Sequence, residues 1–485
     1  MGLAFVPLYV RYLGLEAYGL IGVFAVMQAW LTILDVGMTP TLNREMARYT
    51  AGAHSGRSIR DLLRSVEILC FSVAVFIGVS GWAAAEYLAS DWLRVNELPT
   101  EDVGQALSLM AAVVSLRLVE SIYHGSLIGL RRQLLYNGIS AIIAAVRHGG
   151  AAAILVWLVP TIQAFFLWQV FSSALSVAVL ATCVQCALPK LSSPPKFSVV
   201  ALTRVWKFAG GMMGITLFAI LLTQVDKVML SRMLSLDAFG IYTLAVTVAS
   251  ALYMVIVPIV QAVYPRMVEL SSQDNQAALI RVYHQAAQLV TILTAPAVAL
   301  LGFFAGGVVF VWSGSASLAE RTGPILSVLA IGTFLNGLMY LPGQLQLAFG
   351  WTGLGLRTNM TAVAILIPAI LWIVPKYGAV GAASVWVALN AGYVLISIQF
   401  MHKRLIPNEK WKWYFGDIIL PVSGALAVTL LANEFKPIGY QSRWDWFVFL
   451  LMSAGLALAA STALAAEIRT NAIRSLRRVN RRGYS

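Results

Sequence analysis

The sequence predicts an all-α polytopic membrane protein of about 14 transmembrane helices. Three observations carry that expectation. Of 485 residues, 59% are hydrophobic and only 11% are charged, against roughly 25% charged in an ordinary soluble domain. The apolar residues fall in successive runs of the roughly 20 residues that a helix needs to cross a bilayer core. Basic residues concentrate in alternate loops, as the cytoplasmic preference of Lys and Arg requires. So few charges exclude a soluble globule of this size. The hydrophobicity excludes a disordered chain. Open sheets cannot satisfy their backbone in lipid, so the spans are helices.

The first run covers only Met1 to Tyr12. As a helix it measures about 18 Å, too short for a full crossing. Its start has no basic residue, unlike a signal peptide, and it is expected to be a truncated or mis-assigned beginning. The following runs lie near 17–38, 62–86, 105–128, 134–158, 162–187, 208–230 and 239–263. The remainder lie near 286–312, 324–348, 354–375, 378–400, 413–432 and 446–466. Loops between them are short, and the longest outward one, Ala89 to Gly104, has no room for a folded domain.

Orientation follows from the basic residues. With the amino terminus in the cytoplasm, the inward loops and the tail hold 24 of the 34 Lys and Arg. The outward segments hold 7, and 3 lie within spans: Arg117, Arg147 and Lys227. Both termini are therefore expected in the cytoplasm. The net charge of +13 is then an orientation signal, and no nucleic-acid partner is expected. The basic tail from Arg474 to Arg482 reads as a lipid-facing anchor.

An internal repeat organises the spans. Leu13-Gly-Leu-Glu-Ala-Tyr-Gly-Leu20 returns as Leu234-Ser-Leu-Asp-Ala-Phe-Gly-Ile241, a spacing of 221. The same spacing aligns Met46 with Met267 and Ile59-Arg60 with Ile280-Arg281. An even number of spans separates the copies, so they share one orientation and are parallel repeats. This divides the chain into an N-lobe of six spans over 1–187, a cytoplasmic linker over 188–207, a C-lobe of six spans over 208–402, and two extra spans with the tail over 403–485. Two such lobes are transporter architecture, with binding expected near mid-depth between them.

Several segments resemble a known family. They are Tyr-Leu-Gly-Leu-Glu-Ala-Tyr-Gly at 12–19, Leu-Asp-Val-Gly-Met at 34–38, and Gln-Val-Asp-Lys-Val-Met-Leu at 224–230, the last followed by Ala-Phe-Gly-Ile-Tyr at 238–242. These look like the polysaccharide transporters, the O-antigen and exopolysaccharide flippases of the multidrug/oligosaccharidyl-lipid/polysaccharide exporter superfamily. The resemblance covers most of the chain; the short first span departs from it. It implies a secondary-active flippase of the bacterial inner membrane and no enzymatic activity. Such a protein moves an undecaprenyl-pyrophosphate-linked oligosaccharide from the cytoplasmic to the periplasmic leaflet by alternating access. It needs no cofactor, and a proton or sodium gradient supplies the energy. Its partners are the lipid-linked glycan, the bilayer and other polysaccharide-assembly membrane proteins.

Charges inside the membrane mark the candidate site, because an ionisable group there normally faces a cavity or a partner. Arg117 and Arg147 fall about halfway along their spans. Arg117, Glu120, Ser121 and His124 share one helix face, at three- and four-residue steps. Arginine suits a pyrophosphate or an acidic sugar because its planar fork donates paired hydrogen bonds and stays charged. The structural alternative is that Glu120 neutralises one of the arginines as a helix–helix pair. Glu120 and His148 also enter as coupling groups, with a counter-ion and a hydrogen-bonded structural residue as the plainer readings. In the second lobe, Asn336, Tyr340 and Gln344 form a stripe suited to sugar hydroxyls or to polar contact between helices. Thr216, Thr223 and Lys227 make a similar one. Asp226 and Lys227 match the family's Asp motif, as a structural pair or an outward-gate contact. Asp35, at the inner end of its span, reads as a helix terminus or inner-gate contact.

Rival functions are weighed on the same residues. A drug/cation antiporter of the superfamily would want an acidic cavity, which the two mid-depth arginines disfavour. Spacing alone does not separate the chain from a peptidoglycan-precursor (lipid II) flippase. A polysaccharide polymerase or ligase needs an outward catalytic loop, and the outward loops are short. A scaffold for a glycan-export complex would tolerate loss of both arginines. Cys183 and Cys186 form Cys-x-x-Cys inside a span, without the further ligands a metal needs, so they are expected to be small buried hydrophobes. No phosphate-binding Gly-x-x-x-x-Gly-Lys-[Ser/Thr] run is present, so this chain is not expected to hydrolyse ATP.

Overall fold

The computed structural model describes residues 2–35, 38–52, 54–189, 194–200, 202–203, 220–221, 223–351 and 353–465. Most of the seventh predicted span, with Thr216, and the basic tail from 466 onward lie outside the described residues. Among the described residues the chain is helical and eleven helical stretches are long and apolar enough to cross a membrane. Two compact units divide the chain, residues 1–240 and 241–485.

The first unit holds α1 (Gly2–Leu34), α2 (Met38–Thr50), α3 (Gly56–Tyr87), α4 (Thr100–Gly129), α5 (Gln133–Trp157) and α6 (Ile162–Ala187). The first two predicted spans are one continuous helix, α1, broken only at Gly14, where φ is 85°. That conformation is costly for any residue with a Cβ. Side-chain caps fix where helices begin: Ser55 accepts from the Ser58 amide and Thr161 from the Ala164 amide, satisfying donors that lack a partner inside the helix. α4 is the central helix and packs against α2, α3 and α6. Its Leu118 and Ile122 meet Leu42 and Met46 of α2 and Ile59 and Leu63 of α3 in a sealed apolar cluster. Gly125 and Gly129 let α2 approach closely: a Cβ on Gly125 would fall 2.5 Å from the Thr39 carbonyl oxygen. Small residues at such crossings replace the hydrophobic drive that lipid does not supply.

The two copies of the repeated segment touch. A Cβ on Gly19 would collide with the carbonyl oxygen of Leu236, and one on Gly240 would lie 2.5 Å from the carbonyl oxygen of Leu15 and 3.1 Å from the amide of Gly19. Beside this contact Glu16, only 3% exposed, binds three consecutive amides of the loop after α3. Its carboxylate accepts from Asn96 at 2.6 Å and from Glu97 and Leu98 at 2.8 Å. The Arg94 carbonyl of the same loop accepts from the Leu236 amide at 2.9 Å.

α7 (Leu236–Ala249) begins in the first unit and continues into the second, which also holds α8 (Tyr253–Ser272), α9 (Gln276–Ser313), α10 (Ala316–Leu338), α11 (Tyr340–Ala348) and α12 (Gly353–Gly392). α13 (Ile398–Leu405), α14 (Leu420–Ala432) and α15 (Arg443–Leu464) complete it. α9 is its axis, packing against α8, α10, α14 and α15. Its Tyr283 is buried with Ile256, Met267, Leu345, Ile398, Met401 and Trp413. Predicted spans eleven and twelve form one run, Gly353–Leu405, interrupted at Gly378 with φ 56° and ψ −140°. Residues of both halves line one groove, so the halves run side by side. These two mergers, together with the seventh span, account for the difference between the expected spans and those described.

Candidate functional site

The mid-membrane charges of the first unit converge. α4 supplies Arg117 and Glu120, α5 supplies Arg147, and α6 supplies Gln169 and Ser176. An Arg147 Nη2 lies 3.4 Å from a Glu120 carboxylate oxygen. The other oxygen of Glu120 accepts from the Ser176 hydroxyl at 2.8 Å. Arg117 donates from Nη2 to the Gln169 side-chain oxygen at 3.4 Å. Its guanidinium carbon stands 5.3 Å from the centre of the Phe24 ring of α1, a cation–π distance.

The balance of this cluster is cationic. Two guanidiniums and one carboxylate lie within electrostatic reach of one another. The Nε atoms of both arginines are buried and have no hydrogen-bond partner among the described residues. A buried donor without a partner is costly. The side chains of Arg147 and Glu120 are 14% and 22% exposed, so the pair borders accessible space. Unsatisfied guanidinium donors, a net positive charge and partial access suit an oxyanion. Glu120 therefore acts as the counter-ion of Arg147, while Arg117 has only a neutral amide and an aromatic face.

The other predicted residues of this unit have structural partners. Asp35 is 5% exposed and accepts from the Thr39 amide at 3.0 Å, the Thr39 hydroxyl at 2.8 Å and the Ser121 hydroxyl at 3.1 Å. It thereby caps the first turn of α2 and ties it to α4, the helix-terminus role. His124 stacks on Tyr136 with ring centres 4.2 Å apart. His148 meets the Tyr9 hydroxyl at 3.4 Å and stacks on Phe5. Lys227 donates to the Thr223 carbonyl at 3.0 Å and to Gln224 at 3.3 Å, turning along its own helix.

In the second unit Asn336 is committed to its neighbours. Its side-chain oxygen accepts from the Tyr253 hydroxyl and its nitrogen donates to Asn390, both at 2.8 Å. Asn390 is fully buried and donates onward to the Trp386 carbonyl. This chain joins α8, α10 and α12, which is polar contact between helices. Tyr340, 36% exposed, lies beside Tyr253, and Gln344 is half-buried on α11.

One buried polar group was not anticipated. His284 of α9 is sealed between two carboxylates: its Nδ1 bonds Asp417 and its Nε2 lies 2.9 Å from Glu409. Gln288, one turn along, donates to the other oxygen of Asp417 at 3.0 Å. The His284-Gln288 spacing placed these residues on one face, but nothing in the sequence pairs that face with positions more than a hundred residues later. Of the cysteines, Cys70 is buried, Cys183 is half-buried and Cys186 is exposed. The burial expected for the Cys-x-x-Cys pair therefore fails at Cys186, whose helix face is not covered.

Comparison with known proteins agrees with this architecture. Residues 1–271 match the model of a family described as polysaccharide biosynthesis protein. The chain is 23% identical over 400 residues to a Shigella flexneri protein provisionally named an O-antigen transporter, covering 81% of this chain and 92% of that one. Among solved structures, the lipid II flippase MurJ in an inward closed conformation aligns with a TM-score of 0.70 at 11% identity, covering 96% of this chain and 97% of MurJ. An inward-facing multidrug resistance MATE family transporter of the MOP superfamily aligns with a TM-score of 0.67 at 15% identity, covering 83% and 93%. The fold is thus that of flippases and multidrug transporters, not of catalysts. The chain is a multi-pass membrane protein that belongs to the polysaccharide biosynthesis protein family.

Proposed function

We propose that this protein is a secondary-active flippase for a polyprenyl-diphosphate-linked oligosaccharide, moving it from the cytoplasmic to the periplasmic leaflet of a bacterial inner membrane. Both termini lie in the cytoplasm, as the basic loops direct. One observation carries the reading: two guanidiniums stand near a single carboxylate that pairs with Arg147, so one positive charge is left over in a cluster that borders accessible space. That arrangement attracts a diphosphate or an acidic sugar and repels a cation, so it disfavours cation antiport. The hydrophilic head group engages Arg117 and Arg147 while the polyprenyl tail stays in lipid. Alternating access then exposes the head group outward, and a proton or sodium gradient drives the cycle. The contacts must be rearrangeable, since a ligand that binds both states equally shifts neither.

The test is genetic and chemical together. Deletion of the gene should abolish one surface glycan and leave its lipid-linked repeat unit in the cytoplasmic leaflet. Complementation with the wild-type gene should restore both. If the deletion instead depletes periplasmic peptidoglycan precursor and leaves surface glycans intact, the substrate assignment is wrong. A scaffold role predicts full restoration by Arg117→Ala and Arg147→Ala, which the flippase reading excludes.

A further inference from the structure

The second unit contains a cavity of about 1060 Å³, open at one side and lined only by residues between Trp351 and Arg404. Its walls come from the two halves of α12 and the helical turn that follows. Leu366, Ile373, Val385, Leu389 and Ile396 make them apolar. Ile396 and Phe400, toward the opening, are 59% and 57% exposed, as residues facing hydrocarbon would be. Four of the five hydroxyls on the walls are turned back onto the protein, and the fifth, on Ser397, belongs to a buried residue. Thr358 donates to the Leu354 carbonyl at 3.0 Å, Thr361 to Arg357 at 2.9 Å, Ser384 to Val380 at 2.9 Å, and Tyr393 to the Asn359 side chain at 3.3 Å. Such a surface offers hydrocarbon contact and no recognition of a sugar.

One end of the cavity differs. Arg357, one turn into α12, and Lys403 and Arg404, at the end of α13, all line it. The guanidinium of Arg404 stands 4.3 Å from the centre of the Trp351 ring, which holds that cation in place. Among the described residues no carboxylate lines the cavity and none of the three cations forms an ion pair. The helix ends carrying them are on the side where the basic residues of the sequence, with Trp351 beside them, mark a lipid–water boundary.

A volume of about 1060 Å³ is at the upper end of the range for small-molecule pockets, large enough for apolar lipid chains.

We propose that this groove is a binding site for an anionic glycerophospholipid of the bilayer, its two acyl chains along the apolar walls and its phosphate at Arg357, Lys403 and Arg404. The site is independent of the substrate assignment made above. Transfer of acyl chains from bilayer to protein discriminates little, because both are apolar. Selectivity therefore rests on the three cations, each contributing about fivefold for an anionic over a neutral head group.

The experiment uses the purified full-length protein, with bound lipid measured by native mass spectrometry. Dioleoyl phosphatidylglycerol and dioleoyl phosphatidylcholine are supplied at equal concentration, with undecaprenyl phosphate in a third arm. Phosphatidylglycerol should be retained at least about tenfold over phosphatidylcholine. The triple variant Arg357→Gln, Lys403→Gln, Arg404→Gln should lower that ratio to near unity. Ala369→Trp, which fills the groove without changing charge, should lower retention of both phospholipids. Should the triple variant fail to fold, Lys403→Gln alone, at an exposed position, is expected to lower the ratio by about fivefold. An unchanged ratio in the charge variants, or unchanged retention in Ala369→Trp, overturns the proposal. So does undecaprenyl phosphate being retained over phosphatidylglycerol and lost in the charge variants. None of these readouts involves glycan export, so failure here leaves the flippase reading to its own test.

Discussion

Arg117 and Arg147 are both mid-membrane arginines, yet the structure predicts different consequences for their loss. Arg147 has a carboxylate partner at 3.4 Å; Arg117 has a neutral amide and a ring. Arg117→Gln removes the uncompensated charge. At a separation of about 6 Å and an effective dielectric constant near 20, one unit charge contributes roughly 3 kcal/mol toward a bound anion. Allowing for water near the partly exposed cluster, about 1–2 kcal/mol remains, a five- to thirtyfold loss of export. Fold stability should hardly change, because a like-charge repulsion is lost along with a weak hydrogen bond. Arg147→Gln takes the ion-pair partner from Glu120 and leaves Ser176 as its hydrogen-bond donor among the described residues, at a cost of about 1–3 kcal/mol in stability, below the value for a sealed pair. Adding Glu120→Gln to Arg147→Gln should recover most of that stability without recovering export. The assays are surface-glycan complementation at matched expression and the melting temperature of detergent-solubilised protein. Wild-type export by Arg117→Gln, or equal loss of stability in both single variants, would refute the reasoning.

Three further outcomes are expected. Asp417→Asn should destabilise the second unit by about 3 kcal/mol, because it strips a charge partner from His284 inside a sealed cluster. Glu409→Gln should cost about 1 kcal/mol, since the Glu409 side chain is 24% exposed; equal melting temperatures for these two variants would contradict the geometry. Gly19→Ala should lower thermal stability because its Cβ meets a carbonyl oxygen, whereas Gly104→Ala, with open space around it in α4, should be neutral or raise stability by up to about 1 kcal/mol. Glu16→Ala should expose the amides of Asn96, Glu97 and Leu98 to faster hydrogen exchange, since three charge-assisted bonds are lost together; unchanged protection there would show that the loop is held otherwise.

Much of this architecture is legible in the chain because lipid imposes simple rules. Apolar runs must be helices, charges must gather on one side, and a charge left inside must have a reason. Those rules located Arg117, Glu120 and Arg147 before any coordinates, and the three do meet. They do not say which arginine Glu120 serves, because that depends on how α4, α5 and α6 rotate against one another. Asn336 shows the same limit. A stripe of amides and phenols reads equally as a sugar surface or as helix contact, and only the positions of Tyr253 and Asn390 decide for contact. His284 was invisible for a different reason. Its partners lie on a distant loop and helix, and each residue alone falls at a predicted span end, where a charge needs no explanation. The helix breaks at Gly14 and Gly378 fall at or beside expected span boundaries, but hydropathy does not show that helical backbone continues on both sides of them.

The meeting of Gly19 with Leu236, and of Gly240 with Leu15, has a consequence for which residues these positions accept. A shift of 221 residues converts one contact into the other, so the junction is isologous: residue i touches the equivalent of j, and j the equivalent of i. Self-complementary patches of this kind arise where two identical chains pair about a two-fold axis. The two copies of the repeated segment in this chain thus meet through equivalent residues, as two identical chains would. Such a junction restricts substitution: a Cβ at either glycine meets a backbone carbonyl oxygen, which trimming the opposite leucine side chain does not move, so relief at one side of the contact cannot come from the other.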